Sequence, residues 1–315
     1  MTLLQPLPDH GLTSSSLPPQ GITSQYMDLA PNTFDDAYVG CSEKMEKVAV
    51  NLLKEEMARH TRLRGAWETA EKYWEQKSPG LSLPPGFKRE HGIAIVLYTN
   101  SSNTLYRELN QAVRTGGRSW ESYMNQFPFK ALHFYLTRAL QLLRGSGGCS
   151  SKPGLVVFRG VPNVLLEPRR LWDAVRLGQF ASSTLDEAVA HKVYPNTIFF
   201  LRTCFGALIQ DFSVFPEERE VLIPPQEIFL VTQFDQSKDQ NWVTLSSSDH
   251  ICSYFNCAYL GEKKMQTCVR LLSESPSCPS LGGQADSLSN GPFSLFSWKT
   301  LLLASWGFQH LGAGL

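Results

Sequence analysis

The 315 residues carry no excess of either charge: 29 Lys and Arg stand against 29 Asp and Glu. With no basic block along the chain there is no footprint for a phosphate backbone, which excludes nucleic acid as a partner. No Gly-x-Gly-x-x-Gly occurs, so a dinucleotide that binds here does not bind by the Rossmann device. No cysteine or histidine spacing suits a zinc ribbon; Cys252 and Cys257 have four residues between them and no second pair at matching distance. The 23 glycines and 19 prolines follow no collagen-like period, and 42% apolar residues is too many for a disordered chain. Residues 1–25 lack a basic n-region, and Pro6, Pro8, Pro18 and Pro19 interrupt every apolar run, so no signal peptide is legible there. These absences leave a soluble globular protein with enough chain for one large domain or two small ones.

What is present points first to a compartment. Cys41, Cys149, Cys204, Cys252, Cys257, Cys268 and Cys278 are widely and irregularly spaced, and Asn100-Ser101-Ser102 is a glycosylation sequon. Together they suit disulfides in an oxidising compartment, with buried free thiols as the alternative. An odd count leaves one cysteine over, and Cys278 in the Ser- and Pro-rich tail is the natural candidate. Residues 293–315 are mostly apolar, broken by Lys299, Gln309 and His310, and follow small residues at 287–291. That is the outline of a lipid-anchor signal; a disordered or alternatively spliced tail is the competing reading.

Residues 1–27 read as a flexible leader and 272–315 as a low-complexity and apolar tail, with the domain between them. Met45, Val48, Leu52, Leu53 and Met57 recur at helical spacing behind Ser42, which stands as an N-cap. Residues 64–76 continue helically with Trp67 and Trp74 on one side, and 105–113 and 131–143 are two more amphipathic helices. Residues 93–98 read as a short strand-like or buried segment. From residue 155 the texture changes to short β-branched or aromatic runs at 155–158, 197–201, 221–223 and 228–234. Helices gathered in the first half and strands in the second, without a βαβ repeat, define an α+β fold.

Three places in the strand-rich half have the residues for chemistry. Arg159 follows an apolar strand and precedes Gly160, a placement from which a guanidinium can reach an anion. Gln179-Phe180-Ala181-Ser182-Ser183-Thr184 offers hydroxyls for ribose or amide hydrogen bonds; the bland reading is a turn or cap ahead of a helix over 185–191. Glu218 and Glu220 lie two apart where a strand begins, which puts their carboxylates on one face. Such a pair can divide labour, one stabilising positive charge at a sugar carbon while the other positions a nucleophile. Taken singly, a rim arginine, a turn and a solvated acidic run explain them better.

In order and spacing, Arg159, Ser182 and Glu218-Arg219-Glu220 resemble the signature of the vertebrate ecto-ADP-ribosyltransferases, whose secreted branch is nearest. The likeness covers about residues 28–271 and includes Asp35-Asp36-Ala37-Tyr38-Val39-Gly40-Cys41, Leu105-Tyr106-Arg107-Glu108-Leu109-Asn110 and the Phe127-Pro128-Phe129 stretch. It implies a helix-rich N-terminal half packed on a mixed or antiparallel β core of the ADP-ribosyltransferase type. It also implies the activity: NAD⁺ as the substrate, split at its nicotinamide–ribose bond, with ADP-ribose passed to a protein arginine and no metal involved. Glu220 is implied as the anion beside the oxocarbenium-like centre and Glu218 as the group that orients the acceptor. Arg159 is implied on the phosphates and Ser182 beside the ribose, while Tyr98, Gln179 and Ser213 line the NAD⁺ site. Residues 211–219, with Phe215, form the acceptor-recognition turn, and Gly160 serves close approach to the ligand. The resemblance further pairs Cys149 with Cys204 and Cys41 with Cys257, long loops for which chain-entropy models give about 3–5 kcal/mol each; Cys252 with Cys268 is a third possibility.

The expectation is therefore an arginine-specific mono-ADP-ribosyltransferase, secreted and glycosylated. The alternatives are a mainly hydrolytic NAD⁺ glycohydrolase on the same site, a catalytically silent secreted binding protein and a lipid-anchored form at the cell surface. Its partners would be NAD⁺ and proteins with accessible arginines, with a membrane involved only through the tail.

Overall fold

A computed structural model of the chain describes residues 21–145 and 147–270; the expected tail, Cys278 and most of the expected leader lie outside them. Helix α1 (Ser42–Arg59) buries Met45, Ala49, Leu52 and Leu53, the three-and-four stripe of the sequence. Its N-cap is Cys41, not Ser42, and no side chain caps it; position there follows from the Cys41 disulfide instead. Helix α2 (Thr61–Lys77) buries Leu63, Trp67, Ala70 and Trp74. Residues 93–98 are not a strand: they belong to helix α3 (Arg89–Thr99), in which every residue from His91 to Thr99 is buried. A helix apolar all round has no amphipathic period to read, which is why the segment resembles a buried strand. Gly92 lets it seat, because a Cβ there would lie 2.4 Å from the Trp74 ring. Helices α4 (Leu105–Gly116), α5 (Trp120–Gln126), α6 (Lys130–Arg144) and the single turn α7 (Gly148–Ser151) complete the first half.

Strand β1 (Thr23–Tyr26) falls inside the stretch expected to be leader; it pairs in parallel with β3 (Val164–Glu167), and Met27 behind it is buried. The remaining elements are β2 (Leu155–Val161), β4 (Ala174–Val175), β5 (Ala181–Thr184), α8 (Glu187–His191), β6 (Thr197–Thr203), β7 (Ala207–Leu208), β8 (Glu220–Ile223), β9 (Glu227–Gln236), β10 (Asn241–Ser253) and β11 (Val269–Arg270). They form a mixed sheet in the order β4-β9-β10-β6-β2-β5-β8-β7, with β11 on β10 and β10–β6 as its parallel pair. The hydroxyl run Ser182–Thr184 is thus a strand, and the cap of α8 is Asp186.

Strands β2 and β5 share one residue pair, Phe158 with Thr184, the narrowest joint in the sheet. One buried cluster runs along one face of the sheet, from Ala181, Val221 and Ile223 on one side of that joint to Phe199, Leu201, Phe229, Val231, Val243 and Leu245 on the other. The second cluster joins the helices to the opposite face of β5, β7 and β8 through Phe180, Ala207 and Leu222. Glu220 and Ser182 stand on that second face, at the edge of the helical layer. Three disulfides, Cys41–Cys257, Cys149–Cys204 and Cys252–Cys268, tie the layers at sequence separations of 216, 55 and 16.

Candidate active site

Glu220 opens β8 and pairs with Thr184 across the ladder, so its side chain lies on the helix-facing side and is 6% exposed. Ser213 Oγ donates to Glu220 Oε2 at 3.5 Å and accepts from the Phe215 N–H at 3.0 Å. The Ser182 hydroxyl lies near enough to Glu220 and Tyr98 to lower the pKa of each. Burial pushes the Glu220 carboxyl up to about 7; the Ser182 hydroxyl opposes this, the Glu218 charge adds to it, and Ser213 and Arg159 pull it down. A carboxyl poised near neutrality, with two hydroxyls and no backbone N–H among its partners, keeps lone pairs free for a ligand.

Glu218 is elsewhere. It ends a 3₁₀ turn (Pro216–Glu218) and is exposed, while Arg219 takes a left-handed conformation at φ 47° before β8 begins. The two carboxylates therefore do not share a strand face, because the left-handed residue between them removes the period-2 geometry. Glu220 sits inside the cleft and Glu218 at its rim, with partial burial and the neighbouring Glu217 raising the latter's pKa. Thr184 fixes the rim: its hydroxyl donates to the Glu218 carbonyl at 2.7 Å and accepts from the Asp186 N–H at 3.0 Å.

Arg159 projects from β2 and donates from Nη1 to the Ser182 carbonyl at 2.5 Å. Tyr98, on α3, donates to the Phe180 carbonyl and accepts from Asn110 Nδ2, both at 3.0 Å, and burial pushes its phenol up to about 12. Gln179 follows Gly178, whose φ of +69° and close contact with Ala30 exclude a side chain, and it pairs with Arg114. Arg159, Ser182, Glu220, Tyr98, Gln179 and Ser213 thus gather in one neighbourhood, the candidate cleft, with Glu218 exposed at its edge. Gly160 does not face a ligand: a Cβ there would lie 2.2 Å from the Ala190 carbonyl, so its absence admits α8.

Four residues of this neighbourhood escaped sequence reasoning. Asn110 and Arg114 follow Tyr106 at intervals of four along α4, a polar stripe that helical periodicity makes visible. Arg114 puts a second guanidinium near Arg159, whose pKa its charge helps to lower after burial. Lys77 and Thr99 carry no such signal. Lys77 Nζ donates to the Ser213 carbonyl at 2.8 Å, and Thr99 Oγ1 accepts from the Val214 N–H at 3.2 Å. Phe212 stacks on Trp74 at 6.0 Å, so the ends of α2 and α3 clamp the segment that carries Ser213. A cavity of about 310 Å³ opens beside Arg114 and Gly178, lined also by Thr33, Tyr26 and Arg176. A larger one of about 450 Å³, beside α4 and α5, includes none of the cleft residues.

The model of the NAD:arginine ADP-ribosyltransferase family matches residues 27–253, a span that holds every one of these side chains. The chain belongs to that family. It is 67% identical over 298 residues to ecto-ADP-ribosyltransferase 5 of Bos taurus, covering 95% of this chain and 92% of the relative. To the Homo sapiens protein of the same name it is 68% identical over 243 residues, 77% of this chain and 84% of that one. Among solved structures, a mutant of the eukaryotic mono-ADP-ribosyltransferase ART2.2 in complex with NAD superposes with a TM-score of 0.63 at 37% identity, over 74% of this chain and 99% of its own. The α+β fold is that of the family.

Proposed function

We propose that the cleft holds NAD⁺ with its nicotinamide ribose against Glu220 and delivers ADP-ribose to a protein arginine at Glu218. As a member of its family, the protein is an NAD⁺–arginine ADP-ribosyltransferase, and NAD⁺ is its substrate. The observation that carries the residue assignment is the burial of Glu220 between two serine hydroxyls with lone pairs to spare.

In the reaction the ribose–nicotinamide C–N bond breaks and its electron pair neutralises the pyridinium, leaving positive charge at the ribose carbon. An ionised Glu220 stabilises that charge and accepts from a ribose hydroxyl. Ser182, held by the Arg159–Ser182 contact, and Ser213 set the carboxylate's position. Arg159 and Arg114 supply guanidinium forks for the two phosphates, and the neighbouring cavity gives the dinucleotide room. An arginine acceptor is a poor nucleophile while protonated. Glu218 at the rim orients it and takes the proton as the new N–C bond forms. Water can enter at the same exposed rim, which makes hydrolysis of NAD⁺ the competing outcome.

The catalytic domain is assigned to residues 28–271. The protein acts outside the cell or at its surface, in keeping with three disulfides. Among the described residues no helix is long and apolar enough to cross a membrane. Release as a secreted protein, rather than retention by a lipid anchor, is the finer assignment. Phospholipase treatment of expressing cells tests it, since an anchored form would be shed.

The reaction is tested with adenine-labelled NAD⁺ and an arginine-bearing acceptor. Wild type is expected to label the acceptor, Glu218→Gln to release free ADP-ribose without labelling, and Glu220→Gln to do neither. Labelling that survives in Glu220→Gln would overturn the assignment.

A further inference from the structure

Transfer to an arginine on a protein obliges the acceptor to lie against the rim of the cleft, so the surface running outward from Glu220 belongs to the reaction's interface. Pairing registers define that surface, because directly opposed residues on neighbouring strands share a face. Glu220 pairs with Thr184, Thr184 with Phe158, and Phe158 with Phe200. The carboxylate therefore stands at the inner end of a cross-strand row whose outer end is aromatic. Helices cover the inner end; Phe200 is 40% exposed and Trp242, one strand further, 38%. The Phe158 and Phe200 rings meet edge to face at 5.4 Å. The segment after α8 brings Val193 to β2, and Tyr194 follows it at 90% exposure and in a left-handed conformation with φ +48°. Glycine at 160, with no Cβ, lets Val193 rest on β2, and His191 lies 5.6 Å from the Trp242 ring. The core does not account for these rings: the buried cluster lies on the opposite face, with Val157, Phe199, Leu201 and Val243.

We propose that this aromatic face, formed by Phe158, Phe200, Trp242, Val193 and Tyr194, docks the acceptor protein and selects arginines whose near neighbours are apolar or aromatic. The proposal rests on the arginine-transfer reading above. Phe200 lies three strands from Glu220 along the ladder, a path of at most about 14 Å at 4.8 Å per strand, which an extended chain spans in about four residues. An acceptor segment with Leu or Phe at that distance covers the rings and excludes water from them; one with Ser or Gly leaves them wet.

Three acceptors test this: arginine methyl ester, and two peptides of about 13 residues with one central arginine, flanked either by Ser and Gly or by Leu and Phe. Wild type is expected to use the Leu/Phe peptide with roughly tenfold higher kcat/KM than the Ser/Gly peptide. In a Phe200→Ser/Trp242→Ser double variant the preference disappears, while transfer to arginine methyl ester and the KM for NAD⁺ stay unchanged. Should that variant not fold, Tyr194→Ser in its exposed loop is expected to lose about threefold of the preference. Equal use of the two peptides by wild type, or a preference that survives these changes, overturns the proposal. No transfer to arginine methyl ester by wild type overturns the arginine-transfer reading, and this proposal with it.

Discussion

Two buried acidic regions of this molecule share one electrostatic problem and answer it differently. At the start of the domain, Asp36 accepts from the backbone N–H groups of Tyr38, Cys257 and Ala258 at 2.8–3.0 Å. Its neighbour Asp35 accepts from Tyr254 and Phe255 N–H and pairs with the buried Arg176 at 2.6 Å. Burial pushes Asp36 up to about 6, and in the cleft it pushes Glu220 up to about 7. The displacement is alike; the partners are not. Asp36 is saturated by main-chain donors that reach it only in the folded chain, whereas Glu220 has two rotatable hydroxyls. A perturbed pKa therefore does not by itself separate a reactive acid from a structural one, and the donor list does.

The contrast is sharpest in substitution. Glu220→Gln is expected to slow NAD⁺ cleavage by roughly 10²–10³-fold while leaving the urea midpoint within error, the usual scale for one transition-state contact. Asp36→Ala is expected to do the reverse, costing about 3 kcal/mol in urea unfolding because three buried N–H groups lose their acceptor, with activity per folded molecule retained. If Asp36→Ala lowered turnover in fully folded protein, the division between the two regions would collapse.

A pH profile comes next in size. In the proposed reaction Glu220 must be ionised to stabilise positive charge, and burial raises its pKa to about 7. Thus kcat/KM for NAD⁺ should fall as pH drops below about 7, approaching tenfold per pH unit, and level off above it. Bound NAD⁺ brings positive charge, which favours the carboxylate, so the inflection in kcat should lie lower. A profile flat from pH 5.5 to 8 would mean that Glu220 does not titrate in this range.

The smallest effect concerns the clamp. Lys77→Met removes the ammonium that holds the Ser213 carbonyl, for which about 1 kcal/mol, roughly fivefold, is reasonable at a half-buried site. Loosening should fall on the ratio of arginine transfer to hydrolysis rather than on the KM for NAD⁺, with Lys77→Arg restoring it. Equal loss of both reactions would make Lys77 a purely structural residue.

The composition and order of elements, read residue by residue, already determined an α+β chain with its helices first, because period 3.6 and period 2 are local properties of a sequence. The amphipathic helices at 42–60 and 131–143 and the strands at 197–201 and 221–223 were legible for that reason. The spacing of Arg159, Ser182 and Glu218-Arg219-Glu220 likewise carried the family resemblance, since it is read as a signature without knowing where those side chains meet. Residues 93–98 misled, because a helix buried on every side has no polar face to mark its period. The 13-residue strand β10 was hidden by its run of serines, and the separation of Glu218 from Glu220 by one left-handed residue. Lys77, Thr99 and Arg114 join the site from helices 45 or more residues away from Arg159. Only tertiary packing brings them there, because burial, donor identity and the single-pair junction of β2 and β5 are products of long-range contacts that no local pattern encodes.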